Sequence, residues 1–300
     1  MRNIIFVKFG GLLIELISHS SQLILNKDRG VKHFITSATS KKSNYSIHFQ
    51  VVSSTELSDF KQKFKGEPEE NDYINYDWFV SERNGEIALT VDYKDHECIK
   101  QIVAFVNSNS KDIRVEIELV NENYPVHIEP LMHPLGSLLM IYLFHWNEGA
   151  LIHASAVSDN CNGYLFTGVS GIGKSTMARL WQECGAEVLN DDRLILRLIG
   201  DDVIVYNNPM PYYNQRALSS SLKKIFLLKQ SSQNYIKPLQ GVLAYSRVLG
   251  NFIQQFYNPQ MVHKHLEIVE SIINKVSVYE VGFKPDVNIV RLIREMDNDG

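Results

Sequence analysis

The run Gly168-Val-Ser-Gly-Ile-Gly-Lys174-Ser175-Thr176 carries the most specific chemistry in the chain. It fits G-x-x-x-x-G-K-[ST] at every fixed position. Glycines at 168, 171 and 173 let backbone N–H groups turn inward around phosphate oxygens. A helix starting behind them adds its positive end. Lys174 is then placed to reach β- and γ-phosphates, and the Ser175 hydroxyl to ligate Mg2+. The expected nucleotide contacts are Gly168, Val169, Ser170, Gly171, Ile172, Gly173, Lys174, Ser175 and Thr176.

Asp191-Asp192-Arg193 follows shortly after. Adjacent carboxylates repel, so a cation or a raised pKa is needed to hold them together. Near a phosphate loop such carboxylates have two uses. One can hold Mg2+, and one can accept a proton from an attacking hydroxyl. Asp191 and Asp192 are both candidates for either role. His153 lies on Leu151-Ile-His-Ala-Ser-Ala-Val157, one strand earlier. If the turn centres between Asn160 and Cys161, an antiparallel hairpin sets His153 opposite Gly168. His153 then either tunes an aspartate and phosphate charge or is a core histidine satisfied by backbone. Arg216, in a Tyr/Asn/Gln-rich loop, is a candidate phosphate or acceptor contact, because its planar fork binds two oxygens. A solvated loop arginine is the alternative.

These residues need elements to hold them. Gly163-Tyr-Leu-Phe-Thr167 reads as a short apolar strand entering the loop. Thr176–Glu183 reads as a helix burying Met177, Leu180 and Trp181, with Gly185 as its C-terminal glycine. Ala186-Glu-Val-Leu-Asn190 reads as the strand delivering the two aspartates. Asp201-Asp202 after Gly200 reads as an ordinary hairpin turn. Lys223 and Lys224 read as a solvated flank before an apolar strand at Ile225–Gln230. The tail from Val248 to Met296 reads as helices around a short strand at Val276–Val281. Its His263 and His265 are two apart and are taken as structural or surface residues.

The first half reads differently. Strands are expected at Ile4–Val7, Leu12–Ile17, Tyr45–Val52, Glu86–Val91 and Ile113–Val120, punctuated by Gly10-Gly11, Thr39 to Asn44 and Asn84-Gly85. Phe64 to Asp77 reads as an exposed acidic and polar loop. Pro130 to Pro134 mark a break, and residues 135–147 read as a buried helix. The expected organisation is a β-rich accessory domain over 1–134 and a mixed α/β (α+β) catalytic domain over 135–300.

The composition sets outer bounds. The 300 residues are 44% hydrophobic and 21% charged, with formal net charge −4. That is an ordinary globular balance, not a disordered one. It carries no global basic field for nucleic acid or an anionic membrane. Cys98, Cys161 and Cys184 show no zinc or disulfide spacing, so a reducing cytoplasm is expected. Lys8 and Glu15 interrupt the apolar N-terminal run, which reads as a strand pair rather than a leader. The longest clean apolar stretch, Leu138–Phe144, is far shorter than a membrane span of about 20 residues.

His153, the run Gly163–Ser175 and Leu189-Asn-Asp-Asp-Arg193 together resemble the catalytic domain of HPr kinase/phosphorylase. They are more similar to the looser HPr-kinase-like set often named phosphoenolpyruvate carboxykinase-like. That set shares His-Ala-Ser before the loop and Ser/Asn-Asp-Asp-Arg after it. Ile225–Gln230 followed by Ile236-Lys-Pro-Leu239 is similar to its downstream segment. The resemblance implies a phosphate-loop core of that family over about residues 150–240. It also implies an ATP- and Mg2+-dependent kinase acting on a hydroxyl, often serine. Mg2+ would sit on Ser175 with Asp191 and Asp192, one aspartate would transfer the proton, and His153 would support it. Arg193 and Arg216 are carried along as substrate contacts. The glutamate-arginine-glycine signature of true HPr kinases is absent; the region reads Asn207-Asn-Pro-Met-Pro-Tyr-Tyr-Asn-Gln-Arg216. HPr itself is therefore not implied as acceptor. Arg193 also stands where carboxykinases continue with glutamate-histidine. The acceptor is expected to be a serine-bearing protein or peptide, or a small alcohol. A homo-oligomer is allowed, since HPr kinases form rings. Two other readings stay open: an ATP-binding regulatory module acting on a protein partner, and a simple NTPase.

Overall fold

A computed structural model describes residues 3–37, 42–67, 74–121, 125–131, 133–209 and 216–298. It is mixed α/β and mostly sheet. The chain divides into two compact units, with the boundary between Tyr142 and Leu143. That boundary falls inside helix α1 (Leu135–His145).

The first unit is built on β1 (Asn3–Phe9), β2 (Leu12–Ser18), β3 (Leu23–Leu25), β4 (Ile35–Thr36), β5 (Tyr45–Val52), β6 (Lys61–Gly66), β7 (Tyr76–Arg83), β8 (Glu86–Tyr93), β9 (Ile99–Val106), β10 (Asp112–Leu119) and β11 (Val126–Ile128). Nine of these form one sheet in the order β4-β1-β2-β5-β10-β9-β8-β7-β6. The five expected strands are present as β1, β2, β5, β8 and β10. Phe64 to Asp77 corrects the loop expectation. Lys61–Gly66 is an edge strand paired with β7, and Tyr76 and Asp77 open β7 itself. The charged, exposed character of β6 suits a sheet edge, where lysines discourage further pairing. Residues 68–73 of that stretch, like 38–41 in the Thr39–Asn44 punctuation, lie outside the described residues.

The second unit continues with β12 (Gly149–Asp159), β13 (Asn162–Thr167), α2 (Lys174–Glu183), β14 (Glu187–Asn190), β15 (Arg193–Ile199), β16 (Asp202–Tyr206), β17 (Ser219–Gln230), β18 (Tyr235–Leu239), α3 (Gly241–Leu249), β19 (Phe252–Ile253), α4 (Pro259–Lys275), β20 (Ser277–Phe283) and α5 (Asn288–Asn298). Lys223 and Lys224 lie within β17 rather than ahead of it.

β12, β13 and the middle of β17 are buried and largely apolar on both faces, which is the pattern of a sheet covered twice. Leu165, Ile225 and Leu227 face one cluster, shared with α3 and α4 through Val248, Ile268, Val269 and Ile272. Their neighbours Tyr164, Phe166, Phe226 and Leu228 face a second cluster, shared with α2 and α5 through Met177, Trp181, Ile289 and Ile293. Alternate residues of β13 and β17 therefore feed opposite layers. Helix α4 begins at Pro259 behind Asn258, whose side chain accepts the Gln260 N–H. Proline at a first helical position and asparagine at the cap are the favoured pair.

β12 and β13 form the expected hairpin, pairing Ala154 with Thr167 and Asp159 with Asn162. Its tip, Asn160 and Cys161, has both φ angles positive, at 48° and 67°, as a two-residue hairpin turn requires. On its other side β12 pairs antiparallel with β14, setting Ala156 beside Asn190. Farther back along β12, His153 pairs with Arg193 of β15. β12 is thus the strand between the two segments that carry the chemistry. Because both run antiparallel to it, β13 and β14 run parallel and deliver their C-terminal ends to one edge. In α/β sheets that edge is where ligands bind.

Candidate active site

The loop leaves β13 at Thr167 and enters α2 at Lys174. Gly168, Gly171 and Gly173 have φ of 146°, 73° and 113°, so all three lie where L side chains are disfavoured. A Cβ on Gly173 would stand 2.8 Å from the Phe283 ring, so packing also requires glycine there. Gln230 Nε2 donates to the Gly171 carbonyl at 3.3 Å and ties the loop to the end of β17. Ser175 is exposed on the first turn of α2.

Lys174 is buried, at 7% exposure. Its Nζ donates to the carbonyls of Gly168 and Val169 at 3.1 and 3.2 Å. Burial lowers the pKa of this ammonium, and the Asp192 carboxylate opposes the shift. The start of α2 is pinned to β12 by the fully buried Ser155, whose Oγ donates to the Lys174 carbonyl at 2.9 Å. Thr167 Oγ1 likewise donates to the His153 carbonyl at 2.8 Å.

The acid turn sits on the other side of β12. The Ala154 N–H donates to the Asp192 carbonyl at 2.9 Å. His153 Nε2 lies 3.9 Å from Asp192 Oδ1, and Arg193 Nε lies 3.3 Å from Asp192 Oδ2. The Asp191 carboxyl is raised above the usual range, first by burial and then by the neighbouring Asp192 charge. Among the described residues no group of three or more His, Cys, Asp and Glu side chains is gathered. A two-carboxylate site is nonetheless the donor set Mg2+ takes when phosphates supply its other oxygens.

The loop, Lys174, Asp191, Asp192, Arg193 and His153 are therefore brought together. The Arg216 guanidinium is not. It is 77% exposed and pairs with Glu187 at 3.1 Å, at the opposite end of β14 from the acid turn. The six residues before it, 210–215, lie outside the described residues. Asp201 sits in the β15–β16 turn, as expected, near Lys275. His263 is exposed beside Glu267, whereas His265 is buried.

Sequence reading missed the residues that hold the acid turn. Asn190, Asn207 and Asn208 are all buried, at 0%, 1% and 1% exposure. Their one visible mark is an amide at the end of an apolar strand, where β14 and β16 stop. Ser155 and Thr167 leave a similar mark, a hydroxyl set among apolar neighbours on a strand.

No family model matches the chain, and no curated protein matches it. Among solved structures it is similar to the HPr(Ser) kinase/phosphatase from Coxiella burnetii. The match covers 50% of this chain and 99% of that one, at 13% identity and a TM-score of 0.29. The relationship is distant and structural only. Among the described residues no helix is long and apolar enough to cross a membrane.

Proposed function

We propose that this protein is a phosphotransferase that moves the γ-phosphate of ATP to a hydroxyl, with Mg2+ as its cation. The observation that carries the reading is the meeting of three groups at one sheet edge. These are the glycine loop with its buried Lys174, the Asp191–Asp192 turn, and His153 on the strand between them. The residues fit the absent groups. The loop holds Gly168, Gly171 and Gly173 at positive φ, the conformation that lets its backbone N–H groups turn toward phosphate oxygens. The acid pair carries repulsion that a cation would relieve.

Bound Mg2+·ATP would supply the phosphoryl group. The loop N–H groups and Lys174 bind and orient phosphate oxygens, and Ser175 with the acid pair offers the cation its oxygen ligands. One aspartate of the pair takes the acceptor proton. His153 and Arg193 flank Asp192 and fix its orientation. Catalysis rests on positioning and charge neutralisation. The acceptor class is a serine-bearing protein or peptide, or a small alcohol. The free thiols of Cys98, Cys161 and Cys184 suit a reducing cytoplasm.

The test is transfer from γ-labelled ATP and Mg2+ to source lysate split into protein and small-molecule fractions. Lys174→Ala should abolish transfer. Asp191→Asn and Asp192→Asn should each cut turnover by about 100-fold or more while moving ATP affinity little. Wild-type turnover in both aspartate variants would refute the chemistry. ATP binding without any transfer would favour a regulatory module, and hydrolysis indifferent to every acceptor an NTPase.

A further inference from the structure

We infer that Asn190 and Asn207 are positioning residues that hold the Asp191–Asp192 backbone rigid, so that the acid pair is set for a divalent cation before the cation arrives. The inference rests on the proposed reading of that pair as the cation site.

The geometry is a chain of buried amides. Asn190 Oδ1 accepts the N–H of Asp191 at 2.7 Å and that of Asp192 at 3.2 Å. That leaves Asn190 Nδ2 to donate, and it does so to Asn207 Oδ1 at 2.7 Å. The same oxygen accepts the Asn208 N–H at 2.7 Å, which fixes the orientation of the Asn207 amide. Asn207 Nδ2 donates to the Arg216 carbonyl at 2.9 Å. Asn208 Nδ2 donates to the Arg193 carbonyl.

With the Ala154 bond to the Asp192 carbonyl, the turn is gripped at the N–H of 191, both backbone groups of 192 and the carbonyl of 193. Burying amides among apolar strands costs free energy unless each bond is made. Aliphatic side chains would fill this space without that cost. Asn190 and Asn208 instead direct bonds to the three residues of the acid turn, and Asn207 braces both of them while its own Nδ2 bonds the Arg216 carbonyl. Two adjacent carboxylates repel, and an unrestrained turn would let them swing apart. The amide chain opposes that motion without touching either carboxylate.

The probe is Mn2+, with binding to the full chain read by electron paramagnetic resonance in the presence of a non-hydrolysable ATP analogue. Binding of the analogue without metal is measured alongside, and thermal unfolding reports the folded fraction. Asn190→Ala should weaken Mn2+ binding roughly 10-fold or more, the range seen for outer partners of metal ligands, and leave metal-free analogue binding within about twofold. Asn190→Ser offers the turn a shorter acceptor and loses the amide bridge to Asn207, so its Mn2+ affinity should fall between wild type and Asn190→Ala. A purely structural role would lower the unfolding temperature without changing Mn2+ affinity per folded molecule. If Asn190→Ala does not fold, Asn190→Ser and Asn207→Leu carry the same comparison. Wild-type Mn2+ affinity in the folded asparagine variants, with Asp191→Asn/Asp192→Asn weakened, overturns the positioning role and leaves the cation site standing. Wild-type affinity in the aspartate variant overturns the cation site itself.

Discussion

At Gly173 two demands meet on one residue. Its φ of 113° is closed to side chains on torsional grounds, and its missing Cβ leaves room for the Phe283 ring. Gly173→Ala should therefore lower stability by about 1–2 kcal/mol and weaken ATP binding at least tenfold, as titration with a fluorescent analogue would show. Adding Phe283→Ala should cost less than the two single losses summed, because it removes the clash, though it leaves the torsional strain and empties a place in the core. At this scale the loop and the aspartate pair were legible because their residue types are specific at fixed spacing. The amides behind them were not. Asn190 and Asn207 meet through the folding of β14, β15 and β16, and an asparagine at a strand end carries no periodicity of its own. Arg216 was legible as a phosphate-binding type, but type alone does not direct a side chain, and Glu187 holds it.

Among the elements, α5 is fastened by one arginine. Arg294 Nε and Nη2 donate to the Asp159 carboxylate at 2.9 and 2.8 Å, and Nη2 also donates to the Cys184 carbonyl at 3.1 Å. Its guanidinium lies 5.4 Å from the Trp181 ring centroid. The last strand residue of β12, the end of α2 and the final helix are thereby joined. Arg294→Leu would leave Asp159 nearly buried without its partner. The expected loss is about 2 kcal/mol in denaturant unfolding, moderated by the partial exposure of the arginine. Adding Asp159→Asn should restore part of that loss, which a double-mutant cycle measures. Elements with local signals were the readable ones. The β12–β13 hairpin and α2 announce themselves by turn residues, alternation and a helical stripe. β9 does not, since five consecutive residues from Ile102 to Val106 are buried and no alternation shows. β6 does not either, because an edge strand carrying Lys61, Lys63 and Lys65 reads like a loop.

At the scale of the molecule, acid should loosen the second unit through two buried histidines. His145 and His265 are both nearly enclosed, and burial pushes each down to about 4 from an ordinary value of 6.5. The unfolded chain therefore binds more protons than the folded one between those values. Stability is unaffected by these groups above pH 6.5 and falls as pH drops from 6.5 towards 4, by up to about 3 kcal/mol for each ring. Denaturant unfolding at pH 7 and pH 5 should show the loss, and His145→Phe with His265→Phe should flatten it. The tip at Asn160-Cys161 has a different consequence, in time rather than in energy. The β12–β13 hairpin closes over two residues, whereas β13–β17 and β17–β20 are parallel pairs that wait for long crossovers. Short closures form in microseconds and distant pairings far later. The strand bearing His153 and the strand feeding the glycine loop would meet first, before the rest of their sheet and the helices that cover it are in place. Cys161→Gly relaxes the left-handed tip and should change only the fast phase of refolding in stopped-flow measurements, leaving the slow phase, set by the distant parallel pairings, unmoved.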